Sequence, residues 1–187
     1  HIEVPVRLGD GSVVTRQYSL VTDPLQADRY EIAVLREDDG RGGSRVIHAA
    51  WQIGTRLRVA PPINHFPLHA DSRPAVLIAG GIGITPIKAM AQTLKRRQVP
   101  FELHYTGRTP TEMAYRDQLE VELTSGYFTY FSRVPGHRRL DVAALLRRAT
   151  GDAVFYVCGP IALIEAVHAA AQRLGIAPER VQHESFY

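Results

Sequence analysis

A chain of 187 residues with 45% hydrophobic residues can bury one good core or two small ones, and its composition is that of an ordinary soluble protein. No apolar stretch approaches the roughly 18 residues needed to span a bilayer, and no charged-then-apolar leader is present, so the expected location is the cytoplasm, with no membrane partner. A formal net charge of +3 with both signs mixed throughout argues against nucleic-acid binding, and the single cysteine, Cys158, excludes an internal disulfide and a four-thiolate iron-sulfur cluster within these residues.

The chain begins at His1, without an initiator methionine, in the pattern of a strand, so it reads as a fragment. Ile2, Val4 and Val6 alternate with polar or turn residues, a Gly-Asp-Gly-Ser turn follows at 9–12, and residues 13–20 run extended again, which predicts a hairpin. Alternation puts Arg16, Tyr18 and Leu20 on one face of its second arm and Gln17 and Ser19 on the other. A third strand is predicted over 30–36. The glycine-rich segment 37–44 is a loop, and Ser44 is placed to cap a short helix through Val46 and His48 to Trp51, making that helix start a candidate anion site. Another strand is predicted over 53–59. Pro61, Pro62, Pro67 and Pro74 then stiffen an irregular connection, and a domain boundary is placed near Asp71, separating 1–70 from 71–187.

The stretch that follows organises the chain. Residues 75–79, Ala-Val-Leu-Ile-Ala, are too few for a helix and end on Gly80 and Gly81, the pattern of a buried parallel strand. Thr85 is placed to cap a helix with Pro86 at its first position, and Ile87, Met90, Ala91 and Leu94 recur at helical spacing behind it. Gly80, Gly81 and Gly83 let backbone N–H groups approach an anion while the helix N-terminus adds partial positive charge, a device suited to a dinucleotide pyrophosphate. Such a turn also occurs where nothing binds, and Gly-Gly-x-Gly-x-x-Pro is not the usual dinucleotide fingerprint.

Strands are predicted next over 101–106, 128–133, 153–158 and 181–187. Thr109-Pro110-Thr111-Glu112 reads as a capping box opening a helix to about Leu123; Asp141 caps a helix to about Ala149; and Pro160 opens a helix that Gly175 stops. Strands alternating with helices imply a doubly wound parallel sheet, whose ligands collect at the carboxyl ends of the strands. The Gly80 turn, Thr106 to Arg108, Cys158-Gly159-Pro160 and Glu184-Ser185-Phe186 should therefore share one edge. The histidines show no metal-ligand spacing, so no metal site is expected.

Arg16-x-Tyr18-Ser19-Leu20, Gly42-Gly43-Ser44, Gly80-Gly81-Ile82-Gly83-Ile84-Thr85-Pro86 and Cys158-Gly159-Pro160, closed by Glu184-x-Phe186, occur in the order and spacing of one family. On these blocks the chain resembles the ferredoxin-NADP reductase superfamily, in its phthalate dioxygenase reductase and vanillate demethylase reductase type, the reductase components of Rieske-type oxygenases. The resemblance implies an antiparallel Greek-key flavin barrel over 1–70, incomplete at its N-terminus because members begin the barrel earlier, followed by an α/β nicotinamide domain over 71–187. It implies FMN, with FAD held by the wider superfamily, and NADH, with NADPH as the alternative. A 2Fe-2S cluster is expected only in a ferredoxin domain following these residues.

By the same resemblance Arg16 pairs with flavin phosphate, Tyr18 packs on the isoalloxazine ring, Ser19 and Leu20 border it, and Ala33 and Val34 run beside it. Gly42, Gly43 and Ser44 hold phosphate, Phe186 covers the flavin, and Gly81, Gly83, Thr85 and Pro86 meet the dinucleotide. Arg108 reaches toward a ribose 2′-phosphate, though NADH-using relatives carry arginine there too. Cys158, with Gly159 and Pro160, lies beside the nicotinamide as a neighbour of the hydride path, Ser19 hydrogen-bonds near flavin N5, and Glu184 orients the flavin site or relays a proton near it. The implied activity is hydride transfer from NADH to FMN, then single electrons to a 2Fe-2S centre in a ferredoxin domain or to an oxygenase component. The alternatives are a reductase for a haem oxygenase or free flavin, and a nucleotide-binding module that transfers nothing. Each residue also has a plainer reading: Tyr18 a core aromatic, Arg16 a surface cation, Cys158 an ordinary buried thiol, Glu184 an edge-strand carboxylate. The sequence names neither the oxygenase nor its substrate, and it does not fix the oligomeric state.

Overall fold

The computed structural model describes residues 1–26, 28–149 and 151–186. Burial of Ile2, Val4 and Val6 folds the first segment as a hairpin of β1 (Ile2–Arg7) and β2 (Val13–Tyr18), antiparallel with Ile2 opposite Tyr18. Asp10 closes the turn by accepting from the Ser12 N–H and hydroxyl at 2.9 and 2.6 Å. α1 (Gly43–Ala50) lays Ile47 against the three buried hairpin side chains.

The barrel expected over 1–70 is represented by this hairpin, this helix and one bridge. The strand predicted over 30–36 makes a single antiparallel bridge, Leu20 to Ile32, with the Val21 N–H donating to the Glu31 carbonyl at 3.0 Å. The segment predicted as a strand over 53–59 is irregular, and Ile53 is fully exposed. Both corrections have one cause. A strand is held by a neighbour's ladder, and among the described residues neither stretch gains one, 30–36 having only that single bridge and 53–59 no strand partner. Ser44 is not a cap: Gly42, at φ 84°, takes the cap position without a side-chain bond, and the Ser44 hydroxyl accepts the Glu37 N–H at 3.0 Å.

The rest of the chain alternates as β3 (Ala75–Gly80), α2 (Ile84–Arg96), β4 (Phe101–Gly107), α3 (Arg116–Glu122), β5 (Tyr127–Phe131), α4 (Val142–Arg148), β6 (Val154–Cys158), α5 (Ile161–Arg173) and β7 (Val181–Glu184). The strands form a five-stranded parallel sheet in the order β5-β4-β3-β6-β7. β3 is central and buried at every position because its side chains serve both faces. Leu77 and Ala79 pack under α2 and α3 with Ile84, Ile87, Leu94 and Leu119, whereas Val76 and Ile78 meet Leu145, Leu146, Ile164 and Val167 of α4 and α5.

Asp141 caps α4 as expected, accepting from the Ala144 N–H at 2.9 Å, and Gly175, at φ 69°, follows the end of α5. The helix predicted from the capping box is broken. Pro110–Glu112 form a single 3-10 turn, Tyr115 sits in the left-handed region at φ 61°, and α3 starts only at Arg116. Thr109 Oγ1 donates to Glu112 Oε2 at 3.1 Å, so the box closes on itself and leaves the backbone donors uncapped. β7 stops at Glu184, and Tyr187 of its predicted span lies outside the described residues. Among the described residues no helix is long and apolar enough to cross a membrane.

Candidate functional site

Parallel register brings four strand ends to one edge: Gly80 lies opposite Thr106, Ala79 opposite Cys158, and Cys158 opposite Glu184. The glycines there are required by close approach. A Cβ on Gly83 would fall 2.2 Å from the Cys158 carbonyl oxygen, one on Gly80 2.7 Å from Pro160 Cδ, and one on Gly159 2.9 Å from Gly80 Cα. The ends of β3 and β6 thus nest backbone to backbone. Gly81 differs, with open space around it but φ +53°, where an L side chain is strained.

A 3-10 turn, Gly81–Gly83, carries β3 straight into α2. Helical bonding therefore starts on the glycines, so Thr85 is not the cap and Pro86 is not the first helical residue; Thr85 Oγ1 donates to the Ile82 carbonyl at 3.0 Å. A cleft of about 490 Å³ opens over this turn, lined by Gly80, Gly81, Gly83, Thr106, Arg108, Gly159 and Pro160, with Leu35, Ile82 and Phe186 along one wall.

The same three residues, Leu35, Ile82 and Phe186, also line a second cleft of about 380 Å³. Its other walls are Arg16, Tyr18 and Ser19 from the hairpin, Ala33, Gly43 and Ser44 at the start of α1, and Thr85. The Arg16 side chain lies across that helix start: a Cβ on Gly43 would meet its Nε at 3.0 Å. Glycine at 43 thus keeps the guanidinium over a helix N-terminus, which together present positive charge to the cleft. The predicted alternation ends with β2, since Tyr18 and Ser19 both border this space.

Ser19 Oγ donates to Glu184 Oε2 at 3.4 Å, and burial holds the Glu184 carboxyl above the usual range. Cys158 is fully buried, and burial followed by the Glu184 charge pushes its thiol far up, so it stays protonated. Cys158 lines neither cleft, although Gly159 and Pro160 do line the larger one. Leu20 and Pro86 face a separate cavity beside Ser19 and Glu184, Val34 packs against the hairpin core, and Gly42 acts as the helix cap. Thr85 borders the smaller cleft, and Gly83 the larger.

Arg41, Glu37, Ser132 and Glu112 border these clefts and escaped sequence reasoning. Arg41 carried a readable signal, a cation just ahead of the glycine pair that starts α1. Ser132 carried none, because only the β4–β5 register brings it to the edge, where its N–H donates to the Gly107 carbonyl at 2.9 Å.

Residues 77–169 match the oxidoreductase NAD-binding domain family. The chain is 44% identical over 169 residues to the heme-dependent oxidative N-demethylase beta subunit of Ectopseudomonas mendocina (strain ymp), covering 90% of this chain and 54% of that protein. It is 37% identical to the vanillate O-demethylase oxidoreductase of Acinetobacter baylyi (strain ATCC 33305 / BD413 / ADP1), covering 100% of this chain and 57% of the relative. Among solved structures, phthalate dioxygenase reductase, described as a modular structure for electron transfer from pyridine nucleotides to [2Fe-2S], superposes with a TM-score of 0.86 at 32% identity, over 99% of this chain and 57% of that one. The chain spans about half the length of the curated relatives it matches.

Proposed function

Because the chain belongs to the ferredoxin-NADP reductase superfamily, in its phthalate dioxygenase reductase type, we propose that it is the flavin- and nicotinamide-binding part of a cytoplasmic electron-transfer reductase serving a Rieske-type oxygenase or demethylase. The observation that carries this reading is the pair of clefts with a common wall of Leu35, Ile82 and Phe186. Clefts that share lining residues adjoin, and ligands meeting at that border could bring their reacting atoms to the roughly 3–3.5 Å that hydride transfer needs. We assign 1–70 to the flavin part and 71–187 to the nucleotide part.

The smaller cleft fits a flavin: it has apolar and aromatic walls, a volume within the roughly 300–1,000 Å³ of ligand sites, and cations at one end beside a glycine-floored helix start. Arg16, Gly43 and Ser44 would hold its phosphate, Tyr18, Ala33 and Leu35 its ring, and Phe186 would exclude water. The resemblance of the compact Gly42-Gly43-Ser44 segment to the phthalate dioxygenase reductase type favours FMN over FAD. A bound flavin supplies the conversion between hydride and one-electron chemistry. Ser19 lines this cleft and donates to Glu184, whose carboxyl burial raises, so the pair is suited to relay a proton at the cleft edge.

In the larger cleft Gly81 and Gly83 bring backbone close to a pyrophosphate, and Gly159 and Pro160 floor the nicotinamide end. Cys158 acts from beneath, as the backbone against which Gly83 nests, and not as a nucleophile. Arg108 and Glu112 line the cleft together. A carboxylate there accepts from a ribose hydroxyl and repels a 2′-phosphate, which favours NADH over NADPH. Electrons leave to a 2Fe-2S centre outside these residues, in a ferredoxin domain or an oxygenase component. A haem acceptor is the second reading, favoured by the likeness to a heme-dependent N-demethylase subunit.

The test is anaerobic. FMN and FAD are supplied separately, NADH or NADPH is added, and flavin absorbance is followed. Rapid bleaching with FMN and NADH is expected. Flavin that binds but never bleaches would refute the nicotinamide assignment.

A further inference from the structure

Lys88, Gln92 and Arg96 fall at four-residue intervals on α2 and so form one polar stripe along it. Arg96 Nε and Nη2 donate to Asp23 Oδ2 and Oδ1 at 2.7 and 3.2 Å, and Gln92 Oε1 accepts the Asp23 N–H at 3.1 Å. Lys88 is only 2% exposed, and its Nζ stands 5.1 Å from the centroid of the Tyr115 ring. Tyr115 in turn donates its hydroxyl to Glu31 Oε1 at 2.9 Å, and burial, with Glu31, pushes its phenol up to about 12.

Asp23 and Glu31 bracket the loop whose flanking residues Ser19, Ala33 and Leu35 line the smaller cleft. α2, meanwhile, springs from the glycine turn that floors the larger one. An exposed ion pair contributes little, but the Asp23 carboxylate is only 18% exposed and is gripped at both oxygens. Tyr115 is a non-glycine residue held at φ 61°, a conformation that persists only where surrounding contacts over-determine it.

We propose that this stripe fixes the distance and angle between the two clefts, so that Asp23, Glu31, Arg96 and Tyr115 are positioning residues for hydride transfer. The proposal rests on the flavin and nicotinamide reading above. The groups act on geometry alone: none lines the larger cleft or the smaller one. A displacement of about 1 Å between reacting partners lowers a rate on the order of 10²-fold.

The test uses Arg96→Gln, Tyr115→Phe and the double variant, with Arg96→Lys as a charge-conserving comparison. Spin labels on Val13→Cys and Val121→Cys, positions 55% and 81% exposed, report the separation of the two parts by pulsed electron resonance without flavin or nucleotide. One narrow distance is expected for the parent protein and a broadened or shifted distribution for the double variant. Anaerobic flavin reduction by NADH should slow about tenfold or more in the double variant, while FMN affinity stays within about twofold, with Arg96→Lys in between. An unchanged distance distribution overturns the proposal whatever the flavin does. So does a broadened one with an unchanged reduction rate, or a loss of FMN affinity as large as the loss of rate. A parent protein that binds FMN but is never reduced by NADH also removes the role in hydride transfer, and that failure, visible before any substitution, belongs to the functional reading.

Discussion

Replacing Gly83 with alanine tests the nesting of β3 against β6. The added Cβ would sit 2.2 Å from the Cys158 carbonyl oxygen and 2.4 Å from its carbon, and 2.7 Å from the Gly159 nitrogen. Comfortable carbon contacts lie near 3.5 Å, so about 1 Å of separation must be created. All three obstructing atoms are backbone, and no flexible side chain can yield. The start of α2 must lift off the end of β6, at about 3 kcal/mol, the upper end of ordinary overpacking. For a chain of this size that is a fall in melting midpoint of about 6–12 °C. Gly81→Ala is the matched control: its Cβ meets nothing, and only the left-handed backbone at φ +53° resists, at roughly 1–2 kcal/mol. Thermal and urea denaturation give the stabilities, and calorimetry with NADH gives the affinity, which should weaken at least about tenfold in Gly83→Ala. If Gly83→Ala proves as stable as Gly81→Ala, the reasoning is wrong.

Arg16→Gln should weaken FMN binding about 10–100-fold in fluorescence titrations, because a charge-assisted bond to phosphate is lost, and the difference should shrink as salt rises. Arg108→Ala should reduce NADPH oxidation about tenfold while leaving NADH oxidation within about twofold, measured as kcat/KM for each nucleotide; equal losses would show that Arg108 contacts something common to both. Glu184 is raised by burial, so the folded state binds a proton more tightly than the unfolded one, and the associated stability is present at low pH and lost as pH rises through the folded-state value. Glu184→Gln should therefore stabilise the protein more at pH 8 than at pH 4 in urea titrations. His104 runs the other way. Burial is the largest influence on its imidazole and holds it below the usual range despite the Glu102 bond at 3.0 Å, so stability should decline as pH falls through about 6.5 and below, a slope that His104→Asn should flatten.

What could be read from the chain alone follows a physical divide. β3, α2, α4 and α5 were legible because a buried strand and an amphipathic helix write their period into adjacent residues, and Asp141 caps α4 through a bond three residues away. The stretches 30–36 and 53–59 have strand-like composition, but a strand needs a partner that local sequence does not encode. Ser44, Thr85 and Thr109 have the chemistry of caps, and each hydroxyl has another partner: the Glu37 N–H, the Ile82 carbonyl and the Glu112 carboxylate. Arg16, Tyr18, Ser19, Ala33 and Ser44 do converge on one cleft, and Gly81, Gly83, Arg108, Gly159 and Pro160 on the other. Ser132 and the Asp23–Arg96 pair were invisible, because sheet register and loop closure create those proximities.

The order in which the chain leaves the ribosome gives the β3–β6 nest another meaning. Ala75 pairs first with Phe101, which is close in sequence, but its other neighbour is Val154, and the glycine turn is shaped only when the backbone of Cys158 and Gly159 lies beneath it. Long-range parallel pairing forms late, since loop-closure entropy must be overcome before the contacts repay it. A nascent chain that has exposed its glycine turn but not yet β6 carries the motif without the cradle. The cradle that the proposed nucleotide site needs is therefore completed only once β6 has joined the sheet, as a property of the closed sheet and not of the segment in which the glycines are written.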